Sequence, residues 1–199
     1  MIAAIFFGAK MAEREIGANS ENQLRLGQFR RIIGAMDSLS WEISQRTVGE
    51  EYKQNGFGSC GIPREVTEID LGEIASEVLA MREEIGLADG SKTVEAKVIC
   101  PHHRENGGCI VGTLKGPVCS GFFGNSQEIL DIFGIDVLEL RKRVRKDLKI
   151  VNGVGEHKNI NPEQNEELAV ETLSKIVSAT EHIKSFPTSI PVFDMILKE

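Results

Sequence analysis

Three of the chain's four cysteines and two of its four histidines fall in one stretch, CPHHRENGGCIVGTLKGPVC, from Cys100 to Cys119. The fourth cysteine, Cys60, stands upstream in GFGSCGIP, giving the spacing Cys60-x39-Cys100-x8-Cys109-x9-Cys119. Thiolate is the soft ligand that zinc and iron–sulfur clusters prefer. Four thiolates suffice for one such centre. Gly107, Gly108, Gly112, Gly116, Gly121 and Gly124 lie in or just after the stretch. Glycine lets the backbone turn tightly and aim N–H groups at ligand sulfurs. The same glycines also suit the turns of an ordinary surface loop. The stretch contains no C-x2-C pair, so zinc knuckles and ferredoxin runs are not matched. Unligated cysteines, whether buried or reactive, and disulfides are the competing readings.

The neighbours of the cysteines extend the list of candidates. His102 and His103 follow Cys100 closely and can serve as replacement ligands or proton donors, or as a solvated loop pair. Arg104 and Lys115 can lower thiolate pKa values or offset the charge of a cluster. Cys100 or Cys109 beside a histidine is also the minimum of a thiol nucleophile, although no orienting third residue is marked.

The elements that must position these residues read as mainly α. Six or seven helices are expected around an irregular Gly/Cys-rich metal-binding insertion, with at most one small β-hairpin. Residues 2–18 read as a first helix, broken at Asn19-Ser20. Ser20 with Gln23 makes a capping box for a second, from Glu21 to about Tyr52. Its stripe is Leu24, Phe29, Ile32, Ile33, Met36, Leu39, Ile43 and Tyr52. Gly34 can allow a close helix crossing, and Trp41 is expected in the core. Thr67 and Asp70 cap a third helix, running over 68–88, whose stripe is Leu71, Ile74, Ala75, Val78, Leu79 and Ile85.

SKTVEAKVIC alternates as a short strand, and CIVGTL is its expected hairpin partner, with His102, His103 and Arg104 in the loop between them. Ser126 opens a short helix closed by Gly134. Asp136 with Glu139 opens another, with Val137, Leu140, Val144 and Leu148 inward. NGVGEHKNIN reads as a linker and lacks the lysine of a phosphate loop. Asn161-Pro162-Glu163 starts the last long helix, to about Ser185, with Leu168, Leu173, Ile176, Val177 and Ile183 inward.

The 199 residues suit a single domain, 1–199, with N-terminal helices at 1–56, the cysteine-cluster region at 57–125 and C-terminal helices at 126–199. A net charge of −7 argues against a general nucleic-acid surface. One Trp and one Tyr argue against an aromatic platform for single strands. No run reaches the ~18 apolar residues of a membrane span. MIAAIFFGAK lacks the basic start and cleavage site of a signal peptide, so a cytoplasmic protein with reduced thiols is expected. Its apolar residues can pack internally or against a second copy. RKRVRKDLK, residues 141–149, reads first as a solvated helix face, and second as a dock for an acidic partner protein or, less readily, for nucleic acid.

The segment Cys100-Pro101, Gly108-Cys109-Ile110 and Gly116-Pro117-Val118-Cys119 is similar to the later part of the zinc- and iron-chelating cysteine-cluster proteins. These are small prokaryotic proteins with a CxxCxxxCC signature. Cys60-Gly61 and Thr67-Glu68-Ile69-Asp70 stand upstream in the order that family shows. The resemblance covers about residues 57–122. The family's crowded first cysteines are reduced to Cys60, and Ser120 replaces the arginine after its last cysteine. The resemblance therefore implies one four-cysteine site rather than an eight-cysteine one. It implies metal or cluster binding and names no reaction. The expectation is an iron–sulfur cluster, [4Fe–4S] first and zinc as the alternative, held by Cys60, Cys100, Cys109 and Cys119. Its work would be electron transfer, redox sensing or service as accessory subunit to a larger redox enzyme. A structural zinc module and a thiol enzyme stand as the other readings, with a redox enzyme or a second copy as partner.

Overall fold

The computed structural model describes residues 2–47, 68–86, 92–94, 97–99, 103–104, 108–109, 111–120 and 130–188. It is mainly helical. Among the described residues four helices form the body: α1 (Ile2–Thr47), α2 (Ala75–Glu84), α3 (Val137–Val151) and α4 (Pro162–Lys184). Cys60, Thr67, Ser126 and the tail beyond 188, with the roles expected of them, lie outside the described residues, as does Tyr52.

The expected break at Asn19-Ser20 is absent, and α1 runs unbroken for 46 residues, about 69 Å at 1.5 Å per residue. Asn and Ser inside a helix are each less favourable than Ala by only ~0.7 kcal/mol or less. That is too little to stop a helix that its later turns hold in place. Glu21 and Arg25 pair across one turn at 2.7 Å, and Leu26, Phe29, Ile33, Met36 and Ile43 form a buried seam. Leu24 lies off this seam and is 45% exposed, while Leu26, two positions on, takes its expected place in the core. Trp41 likewise is 53% exposed, not in the core. It lies two positions from each of the buried Leu39 and Ile43, and so ~160° around the helix from both.

The helix α4 is parallel to α1. Gln28 bonds Glu166 near its start, and Arg46 donates to the carbonyls of Lys184 and Phe186 at its end. Asn161 caps α4 by accepting from the Glu163 N–H, with Pro162 in the first turn, as the sequence indicates. Its inner face is Ala169, Thr172, Ile176, Thr180 and Ile183. Val177 is exposed, because it follows Ile176 by one position and so leaves that face.

The helix α3 runs antiparallel to α4. Asp147 accepts from the Thr172 hydroxyl at 3.0 Å, and Val151 O accepts from Asn165 at 3.2 Å. Asp136 caps α3 through the Glu139 N–H at 2.7 Å. Gly134, at φ 64°, ends the short helical turn before it. Val137, Val144 and Leu148 are buried, as the pattern requires.

The third expected helix begins later than expected. Residues 68–70 form a turn, Gly72–Ile74 a 3-10 turn, and only Ala75 starts α2. Asp70 has φ 67° and is not a helix cap. Its carboxylate instead meets Arg145 at 3.1 Å and Lys149 at 3.2 Å on α3. Two cations offer it more than one backbone N–H would. Ile85, the last expected member of the stripe, is exposed just past the helix end.

The segment read as a linker is a built joint. Asn152 is buried. It donates Nδ2–H to Asp70 O at 2.8 Å and accepts the Glu73 N–H on its own carbonyl at 2.8 Å. Arg25, also buried, donates to Val151 O and Lys158 O at 2.9 and 3.1 Å. A guanidinium at the carbonyl end of α3 is electrostatically favoured.

The expected hairpin also differs. β1 (Lys92–Val94) pairs with β2 (Lys97–Ile99), so the first arm folds back on itself. A second ladder joins β3 (His103–Arg104) to β4 (Gly108–Cys109). Two-residue connections are the commonest in hairpins. They also close at less entropic cost than the longer loop expected from Cys100 to Cys109. His103 and Arg104 thus stand on a strand, not in a loop.

Candidate metal centre: the anchored end of the cysteine segment

Cys60, Cys100 and His102 lie outside the described residues. Cys109 is placed by its backbone, in register opposite His103 on β3. Among the cysteines, Cys119 is the one described with its side chain, and it is half-buried. Among the described residues no group of three or more His, Cys, Asp or Glu is placed to hold a metal ion.

The local fold around Cys119 follows from small residues. Gly112, at φ 53°, opens a 3-10 turn through Leu114. Gly116 O then accepts both the Cys119 N–H at 2.9 Å and the Ser120 N–H at 3.2 Å. Ser120 is buried and donates its hydroxyl to Pro117 O at 3.0 Å. These two N–H groups close the turn rather than point at a sulfur.

Three side chains, making four hydrogen bonds, fasten this segment to the helices. Arg82 of α2, only 4% exposed, donates Nε–H at 3.2 Å and Nη2–H at 2.7 Å to Leu114 O. Lys115 Nζ donates to Asp37 Oδ1 of α1 at 2.6 Å. Arg30 Nε–H donates to Thr113 Oγ1 at 3.2 Å. Gly34 serves this contact. A Cβ there would sit 3.5 Å from Thr113 Cγ2, so it faces the turn rather than a crossing helix.

The electrostatics differ from the sequence reading in one respect. Lys115 is paired with Asp37 instead of standing ready for a thiolate. Burial pushes the Asp37 carboxyl above its usual range, against the pull of Lys115. Sequence reasoning missed Arg82 and Asp37, although a signal existed. Neither has an opposite charge three or four positions away on its own helix, so each had to find its partner elsewhere.

The basic run is largely answered from within. Arg145 and Lys149 share Asp70, Arg143 lies 3.5 Å from Glu171, and Lys142 lies 3.4 Å from Glu139. Among the described residues no helix is long and apolar enough to cross a membrane. The chain matches no protein-family model, no curated protein and no solved structure.

Proposed function

We propose that the protein binds one thiolate-ligated metal centre through Cys60, Cys100, Cys109 and Cys119. An iron–sulfur cluster is the first reading and zinc the second. The chemistry of the donor set supports this, since four soft ligands match either group. The observation that carries the reading is the anchored turn. Cys119 sits half-buried on a backbone held by the buried Arg82 and by the Asp37–Lys115 pair. A ligand held in this way suits a defined coordination geometry better than a mobile loop would.

With a cluster bound, the site would supply one-electron chemistry. The chain's own part would be to hold the sulfurs and limit water at the Cys119 side. The work fits electron transfer, redox sensing or an accessory role beside a larger redox enzyme in the cytoplasm, with that enzyme or a second copy as partner. His102 and His103 are the reserve ligands.

Oxygen-free purification followed by metal and sulfide analysis and a visible spectrum tests this. Iron, sulfide and broad visible absorbance are expected. Stoichiometric zinc in a colourless protein would move the reading to a structural zinc module. Neither metal would overturn both and leave a thiol enzyme.

A further inference from the structure

We propose that Arg141 and Arg145, one turn apart on α3, form a binding site for a phosphoryl dianion. The site uses none of the cysteines and stands apart from the metal-binding reading.

Arg141 occupies a position that the helix pattern gives to the core. It follows the buried Val137 by four residues and precedes the buried Val144 by three, which puts it on their stripe. It is half-buried there. Lys142, Arg143, Arg145 and Lys149 each have a carboxylate partner. Arg141 has neither an ion pair nor a hydrogen bond to its side chain among the described residues.

A guanidinium brings five N–H donors and stays protonated in proteins. Burying part of it unpaired costs stability. Burial, and then the charge of Arg145, push the Arg141 guanidinium below the usual arginine range. An apolar side chain here would extend the core instead. A core-facing position given to an unanswered charge is the kind of local conflict that marks a functional site.

Arg145 supplies the second half. At this spacing the two Cβ atoms lie ~5–6 Å apart on one helix face. Arg145 Nε–H donates to Asp70 Oδ2 at 3.1 Å, and its two Nη groups have no hydrogen-bond partner among the described residues. Lys149, one further turn on, draws on the same carboxylate at 3.2 Å. Asp70 is thus the one carboxylate paired with this row of three cations among the described residues. Two positive charges are left over. A phosphoryl group carries about −1.5 to −2 near pH 7 and offers three acceptor oxygens. It answers both the charge and the open donors, and guanidinium forks grip such oxygens in pairs. A lone carboxylate would answer half the charge. The same chemistry is offered by free phosphate and by a phosphoryl group carried on a larger molecule.

The test uses the full chain, with inorganic phosphate and methyl phosphate as probes and acetate as the monoanion contrast. Each is titrated at constant ionic strength while the amide and guanidinium NMR signals of Arg141 and Arg145 are followed. Wild type is compared with Arg141→Met and with Lys146→Met. The second variant removes one charge from the same helix, ~140° around it from Arg141. Unfolding by denaturant without any of the anions is measured for all three.

Saturable shifts at Arg141 and Arg145 are expected with both phosphates and not with acetate. Tighter binding of methyl phosphate would identify a carried phosphoryl group as the ligand, and tighter binding of inorganic phosphate the free ion. Arg141→Met should bind ~10-fold or more weakly, and without anion it should be at least as stable as wild type. Lys146→Met should keep the wild-type affinity. No saturable shift in the wild type, or equal loss in the two variants, would overturn the proposal. Acetate binding as tightly as phosphate would overturn the dianion assignment and point to an acidic partner protein. An Arg141→Met protein less stable than wild type without anion would show the guanidinium to be already partnered, and would overturn the proposal as well.

Discussion

Asn152 reaches across the fold to Asp70, donating its side-chain N–H to the Asp70 carbonyl at 2.8 Å, while Asp70 turns its carboxylate back to Arg145 and Lys149 on the helix that ends at Asn152. The two residues lock the entry of α2 to the exit of α3. The backbone contact is equally close: the Glu73 N–H donates to Asn152 O at 2.8 Å.

Gly72 makes that approach possible, and substituting it should undo the lock. A Cβ at Gly72 would lie 2.4 Å from Asn152 O, and its φ is +54°. Left-handed backbone alone costs an ordinary residue roughly 1–2 kcal/mol. Gly72→Ala should lose about 2 kcal/mol or more in denaturant unfolding. Gly27→Ala is the contrast, since nothing lies within 4 Å of its Cβ position and it sits inside α1. It should gain about 0.5–1 kcal/mol. Equal effects at the two sites would refute the close contact at Gly72.

Asp70→Asn separates the charge from the shape. Asparagine tolerates positive φ, so the backbone should be undisturbed while both ion pairs are lost. The cations are partly exposed, so the expected loss is about 1–2 kcal/mol. Because exposed charge is screened, high salt should shrink the difference between variant and wild type. A difference indifferent to salt would show that packing, not charge, holds this joint.

Two carboxylates should act oppositely with pH. Glu166 is held below its usual range, chiefly by the Gln28 hydrogen bond and then by Arg31. Its contribution is present above the unfolded value of 4.5 and is lost as pH falls through the lower folded value. Asp37 is raised by burial, so its contribution is full below 3.8 and is lost as pH rises through its folded value. Glu166→Gln should therefore be less stable than wild type at neutral pH, and the gap should close on acidification. A gap that widened in acid would contradict the assignment.

Caps written in adjacent residues were legible. Asp136 and Asn161-Pro162 act where the sequence puts them, because a cap is satisfied by N–H groups two or three positions away. Leu24 was misread because roughly helical spacing does not resolve a position or two, and each position is ~100° around a helix; Trp41 was misread because an aromatic ring's bent for packing does not say which face of the helix carries it. Asp70 looked like a cap because the cations that claim it are seventy-five and more residues away. The cysteine segment divides in the same way. Cys119 and the glycines around it mark a tight turn in the sequence itself, whereas Arg82 and Asp37 join that turn only through tertiary packing.

Metal content per chain, measured in oxygen-free wild type and in Cys60→Ser, Cys100→Ser, Cys109→Ser and Cys119→Ser, tests the four-thiolate centre most directly. The expected result is iron with sulfide, or zinc, in the wild type, with loss or lability of that metal in every variant, Cys60→Ser included despite the thirty-nine residues between it and Cys100. Full metal retention in Cys60→Ser alone would make the site three-cysteine, with His102 or His103 in the open position. A metal-free wild type, or full retention in Cys119→Ser, would contradict the account.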